Sequence, residues 1–139
     1  MMRRSNFIAM KVTNETLHVR KYPLKDVEYI MEFHNWILRH LDLPHSLESL
    51  ADQAGMSVSK MQRLFRSVFD ISIIAFIRKQ KLNRAKGQLE VTSMSIKSIA
   101  REAGYRSLPA FTSAFATTFE TTPGQLRRSI KNRPFRESY

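Results

Sequence analysis

The side chains of this sequence best equipped for chemistry are hydrogen-bond donors spaced along one helical face. Between residues 57 and 69, Met61, Leu64, Phe65 and Val68 recur at helical spacing and define an apolar stripe. The opposite face then carries Ser59, Gln62, Arg63 and Arg66, flanked by Lys60. Arg63 can make a bidentate contact to guanine, Gln62 can do the same to adenine, and Lys60 can reach guanine or a phosphate. Any solvated helix carries some such residues, so the reading depends on what surrounds the face. Shifted by 50 positions, the same face becomes Pro109, Thr112, Ser113 and Ala116, with Leu108 and Ala110 beside it. No charge occurs from Ser107 to Phe119. Thr112 and Ser113 can bond to phosphate or weakly to bases, and Leu108 or Ala110 can pack on a thymine methyl. This second face is expected to read sequence more weakly.

Catalytic chemistry finds little support. Cysteine is absent, which removes disulfides, thiolate nucleophiles and Cys-based zinc sites. His18, His34, His40 and His45 lack metal-ligand spacing, and His34 falls on an apolar face where a packed histidine is expected. With four glycines in all, none is left for a phosphate-binding loop. The serines sit mostly where helix caps are needed and lack a nucleophile-elbow context. Trp36 is expected to serve packing. No cofactor is expected.

The two donor faces belong to an internal repeat. Ser46-Leu47-Glu48-Ser49-Leu50-Ala51-Asp52-Gln53-Ala54-Gly55 aligns with Ser95-Ile96-Lys97-Ser98-Ile99-Ala100-Arg101-Glu102-Ala103-Gly104 at an offset of 49. One inserted residue makes the offset 50, after which Met61, Phe65, Phe69, Asp70, Ser72 and Phe76 match Phe111, Phe115, Phe119, Glu120, Thr122 and Leu126. In each copy a serine (Ser46, Ser95) can cap a helix, a glycine (Gly55, Gly104) can leave it with positive φ, and a second serine (Ser57, Ser107) can cap the next. The small Ala51 and Ala100 allow the two helices to approach closely. Helix, tight turn, helix is the helix-turn-helix pattern.

Three further segments complete the chain. Residues 7–12 and 17–22 flank Thr13-Asn14-Glu15-Thr16 and could pair as a small hairpin. Val27, Ile30, Met31, His34, Ile37, Leu38 and Leu41 then line one face of a helix that Pro44 ends. Residues 73–91 read as one long helix with Ile74, Ile77, Leu82, Ala85 and Leu89 inward and Arg78, Lys79, Lys81, Arg84 and Lys86 free of any intervening acid. Lysine and arginine number 23 against 12 acids, and the thirds 1–45, 46–92 and 93–139 carry about +2, +4 and +5. Such an excess favours a polyanionic partner, with nucleic acid ahead of an anionic membrane. No run of apolar residues is long enough to span a bilayer, and the start lacks a secretory signal, so a soluble, cytoplasmic protein is expected.

The stretch Ser95 to Tyr105, followed by Phe111, Phe115, Phe119, Thr122-Pro123 and Leu126-Arg127, resembles the DNA-binding domain of the AraC/XylS family of bacterial transcription regulators. The first copy resembles that family's weaker N-terminal unit in Leu50-Ala51, Gly55-Met56-Ser57 and Arg63-Leu64-Phe65-Arg66. The resemblance covers about residues 26–130. It implies an all-α fold of two tandem helix-turn-helix units joined by a long linker helix, binding double-stranded DNA, acting more often as activator than repressor, with RNA polymerase as a further partner. Asp70 and Glu120 stand where the family often has glycine, Ile73 where proline is common, and Lys81 where arginine is typical. Many members carry an effector-binding, dimerising barrel before this region; here about 25 residues precede it, as in short members or a detached C-terminal half.

The expected organisation is an arm over 1–25, a first unit over 26–72, a linker over 73–92, a second unit over 93–131 and a basic tail over 132–139. Ser57, Arg66, Lys81, Arg106, Ser107 and Arg127 are the candidate phosphate contacts, and Ser59, Lys60, Gln62, Arg63, Leu108, Pro109, Thr112 and Ser113 the candidate base contacts. A single chain supplies both units, so it is expected to bind as a monomer. The alternatives are a protein that coats DNA without sequence preference and a helical module that docks on RNA polymerase.

Overall fold

The computed structural model describes residues 22–42 and 45–132. All but Tyr22 of the expected hairpin, and the tail from Arg133, lie outside the described residues. The described residues form seven helices and no strand: α1 (Leu24–Arg39), α2 (Leu47–Ala54), α3 (Val58–Phe69), α4 (Ile73–Val91), α5 (Ile96–Glu102), α6 (Leu108–Phe119) and α7 (Pro123–Lys131). They are the all-α, two helix-turn-helix architecture expected from the sequence.

Side-chain caps start six of these helices. Ser46, Ser57, Ser95, Ser107 and Thr122 each accept a bond from the backbone N–H three residues on, as Ser72 does from Ala75 at the start of α4. Each cap removes one orphan donor and stabilises its helix by about 1 kcal/mol. The turns of the two copies close alike. Gly55 (φ +69°) and Gly104 (φ +92°) carry the reversal, while Met56 N–H donates to the Ala51 carbonyl and Tyr105 N–H to that of Ala100. After α3 and α6 the chain again turns through positive φ, at Asp70 (59°) and Glu120 (60°), the two positions where the sequence departs from glycine.

The chain divides into two compact units between Arg78 and Lys79, inside α4. In the first, Ile30, Met31 and Ile37 of α1, Leu50 of α2 and Met61, Leu64, Phe65 and Val68 of α3 are fully buried or nearly so. His34 joins them as an aromatic plate, its ring 4.3 Å from that of Phe69 and 4.6 Å from that of Phe76. Trp36 stacks between Phe33 and His40. In the second unit Leu82, Ala85 and Leu89 pack with Ile99, Ala100, Phe111 and Phe115.

The inward face expected for α4 needs one correction. Ile73 and Phe76 join Ile77 as buried members of the first core, and Ile74 packs half-buried against it. The step of five residues from Ile77 to Leu82 breaks the three-and-four spacing, because α4 supplies each core separately. Its first turn is the repeat equivalent of α7, so Phe76 takes the place that Leu126 holds in the second unit.

The second correction concerns Arg127, expected at a phosphate. Its guanidinium donates to the carbonyls of Gln88 (3.5 Å), Leu89 (3.4 Å) and Thr92 (3.1 Å), and also to that of Met94. The last carbonyls of a helix have no partner within it and carry partial negative charge. A cation from α7 therefore closes the C-terminal end of α4 and ties the ends of the second unit together.

Two outcomes follow for stability, both readable in denaturant titrations monitored by far-ultraviolet circular dichroism. Glu120→Gly should raise the unfolding free energy by about 0.5–1 kcal/mol, because glycine removes the Cβ clash of a left-handed residue at a small entropic cost; no gain would mean that Glu120 is not strained. Arg127→Met should lower it by about 2 kcal/mol by stranding several carbonyls, and a loss below about 0.5 kcal/mol would contradict the capping role.

Candidate nucleic-acid interface

An apolar stripe on α3 fixes what its other side can present. With Met61, Leu64, Phe65 and Val68 sealed in the core, Ser59, Gln62, Arg63 and Arg66 are all exposed. They form a continuous polar face over the length of the helix. Ser57 spends its hydroxyl acceptor on the Lys60 N–H at 3.1 Å, leaving its own O–H to donate. The unpaired N–H groups of a helix start, together with the dipole, attract anions to this end.

Lys60 is placed differently from its neighbours. Its ammonium lies 3.2 Å from a carboxylate oxygen of Asp26, in the first turn of α1. Lys60 is thus engaged inside the protein, and sequence spacing offered no sign of it because the partners are 34 positions apart.

In the second unit, α6 shows Leu108, Pro109 and Ser113 exposed and Thr112 half-buried. Ser107 caps α6 by accepting from Ala110 N–H at 3.2 Å, and Pro109 has no N–H, so the helix start offers an anion little beyond Leu108 N–H. Arg106 is exposed just before it. Lys81 of α4 is partly buried, its ammonium 3.8 Å from where a Cβ on Gly104 would lie. Burial, and then the charge of Arg84, hold its pKa below the usual lysine range.

Two cations escaped the sequence reading. Lys97 and Arg101 are exposed on α5, in the register that Glu48 and Asp52, also exposed, occupy on α2. The repeat alignment contained that reversal of sign. Among the described residues no group of three or more His, Asp or Glu could hold a metal ion, and no helix is long and apolar enough to cross a membrane.

The chain matches a family model described as a helix-turn-helix domain over residues 50–129. It is 38% identical over 94 residues to the right origin-binding protein of Escherichia coli (strain K12), covering 68% of this chain and 32% of that protein. It is 33% identical over 95 residues to the regulatory protein SoxS of the same strain, covering 68% of this chain and 89% of that protein. It thus spans about a third of the length of the first relative and most of the second. Among solved structures, the DNA-binding domain of the global transcriptional factor AdpA in complex with a target DNA aligns with a TM-score of 0.68 at 27% identity, covering 73% of this chain and 92% of that one. A repeated, identically closed helix-turn-helix, a family model over more than half of the chain and relatives of this kind agree: the chain belongs to the AraC/XylS family of helix-turn-helix transcriptional regulators.

Proposed function

We propose that this chain binds specific double-stranded DNA and regulates transcription by inserting α3 and α6 into successive major grooves, with α3 the stronger base reader. The observation that carries this is the contrast between two equivalent helices. One presents Gln62, Arg63 and Arg66 opposite a sealed apolar face; the other presents Leu108, Pro109, Thr112 and Ser113 and no charge. Arg63 and Gln62 are assigned the bidentate contacts to base edges, each worth about 1–3 kcal/mol against a wrong base. Arg66, Arg106, Lys81 and the hydroxyls of Ser57 and Ser107 are assigned to phosphates, with Ser59 and Lys60 at the edge of the base-reading set. The second unit contributes docking and apolar contact and tolerates more sequence variation.

The same reading makes the site asymmetric and about two helical turns long, filled by one chain, because the two units differ and both are present in it. RNA polymerase is the further partner, and the cytoplasm the setting, that family membership suggests.

Selection of bound sites from random duplexes tests the assignment. Arg63→Ala should weaken cognate binding by about 1–3 kcal/mol and relax preference at one or two positions, while Ser113→Ala changes affinity much less. Equal information in the two halves, or a larger loss from Ser113→Ala, would reverse the ranking of α3 and α6. The slope of log affinity against log salt should lie at about −5 to −9 for six to ten phosphates. A slope near zero would exclude DNA as the ligand, and uniform protection along genomic fragments would favour non-specific coating. Two chains per minimal palindromic site would overturn the monomer reading.

A further inference from the structure

Lys60 occupies the third position of α3, in its first turn, and its ammonium is held 3.2 Å from the Asp26 carboxylate. The side chain of Lys60 remains 44% exposed and that of Asp26 25%. A partly solvated surface pair of this kind contributes only about 1 kcal/mol to folding, so the fold does not depend on it. Asp26 also suits the N-terminal turn of its own helix, which explains an acid at this position but not its contact with Lys60. Placed beside the start of α3, a carboxylate is unfavourable for any phosphate backbone, and it cancels the one lysine of α3.

We propose that Asp26 is a specificity-determining residue that keeps Lys60 from contributing to indiscriminate phosphate binding. The proposal rests on the reading that α3 enters the major groove. On an arbitrary duplex, affinity comes from free cations displacing condensed counterions, and a lysine already paired within the protein adds nothing to that sum. On the cognate site the direct contacts of Arg63 and Gln62 fix the helix in one register, which leaves a freed Lys60 less latitude to reach a phosphate than on an arbitrary duplex, where the helix settles wherever its cations are best served. The pair thus lowers the background of non-specific binding more than it lowers specific binding, and the ratio of the two decides site occupancy.

The test uses the full chain and its variants D26N, K60Q and D26N/K60Q, each first shown to melt as the parent does. Binding is measured from about 0.05 to 0.2 M salt on a random-sequence duplex and on the selected site. D26N should bind the random duplex about five-fold more tightly, with a salt slope steeper by about 0.9. Its affinity for the selected site should rise by less than about two-fold, so the ratio falls. K60Q should weaken random-duplex binding, because it leaves the Asp26 carboxylate unpaired beside the start of α3, and D26N/K60Q should return the slope to the parent value. Unchanged random-duplex binding in D26N, equal changes on both duplexes, or a double variant indistinguishable from D26N would each overturn the proposal; equal changes would mark the pair as merely structural. R63A run in parallel separates the two failures. If it keeps full cognate preference, α3 is not the reader, while the slopes on the random duplex still decide what Asp26 does to Lys60.

Discussion

The reversal of the chain at Gly55, repeated at Gly104, is the constraint on which the remaining structure depends. Only a residue without a Cβ takes φ of +69° or +92° at little cost, and this conformation lets the next helix begin three positions after Gly55 and four after Gly104. Helices of eight and seven residues, the lengths of α2 and α5, do not persist alone in water. They exist because a serine caps each start, the glycine turn closes each end, and Leu50 and Ala51, or Ile99 and Ala100, are buried against the helix that follows. The turn therefore sets the direction of α3 and α6, and burial of one face sets their rotation. What remains free on each is a fixed outer face, which a recognition surface needs and a mobile loop cannot supply.

Features that depend on neighbours in sequence were legible without coordinates. Caps at Ser46, Ser57, Ser95 and Ser107, glycine turns, and the limits of α3 follow from bonds that reach three to five residues. The aromatic setting of His34 was legible from its place on an apolar stripe. Features that depend on the meeting of distant residues were not. Arg127 looked like a surface cation because its four carbonyl partners lie 33 to 39 positions away. Asp26 drew no attention for the same reason. Ile73 and Phe76 were missed because one continuous stripe was fitted to α4, and a single stripe cannot describe a helix that fills two cores.

The two copies divide electrostatic work unequally, and the sequence repeat shows where the exchange took place. In the first copy Glu48 and Asp52 stand on α2 while Arg63 and Arg66 stand on α3. In the second, Lys97 and Arg101 stand on α5 while α6 has no charge at all. A fold that tolerates both patterns must draw its stability from the apolar interior, since charges on these outer faces can be inverted without disturbing Leu50, Ala51, Phe65 or their counterparts. The outer faces are then free to be shaped by the partner alone.

That freedom bears on how a chain with formal net charge +11 would discriminate between DNA sequences in the proposed role. Every exposed cation strengthens attachment to any duplex, correct or not, whereas a bond to a base edge acts only where the base is right. Selectivity improves when cations are removed from the reading helices or neutralised there and left on elements that only brace the backbone. On the proposed reading a Lys60 held by Asp26 and an Arg127 committed to carbonyls at and just beyond the end of α4 each take a positive charge out of the non-specific sum, and α6 adds none. On the proposed reading Arg63 and Gln62 remain on the face of α3 turned to the bases, and their binding energy depends on which base they meet.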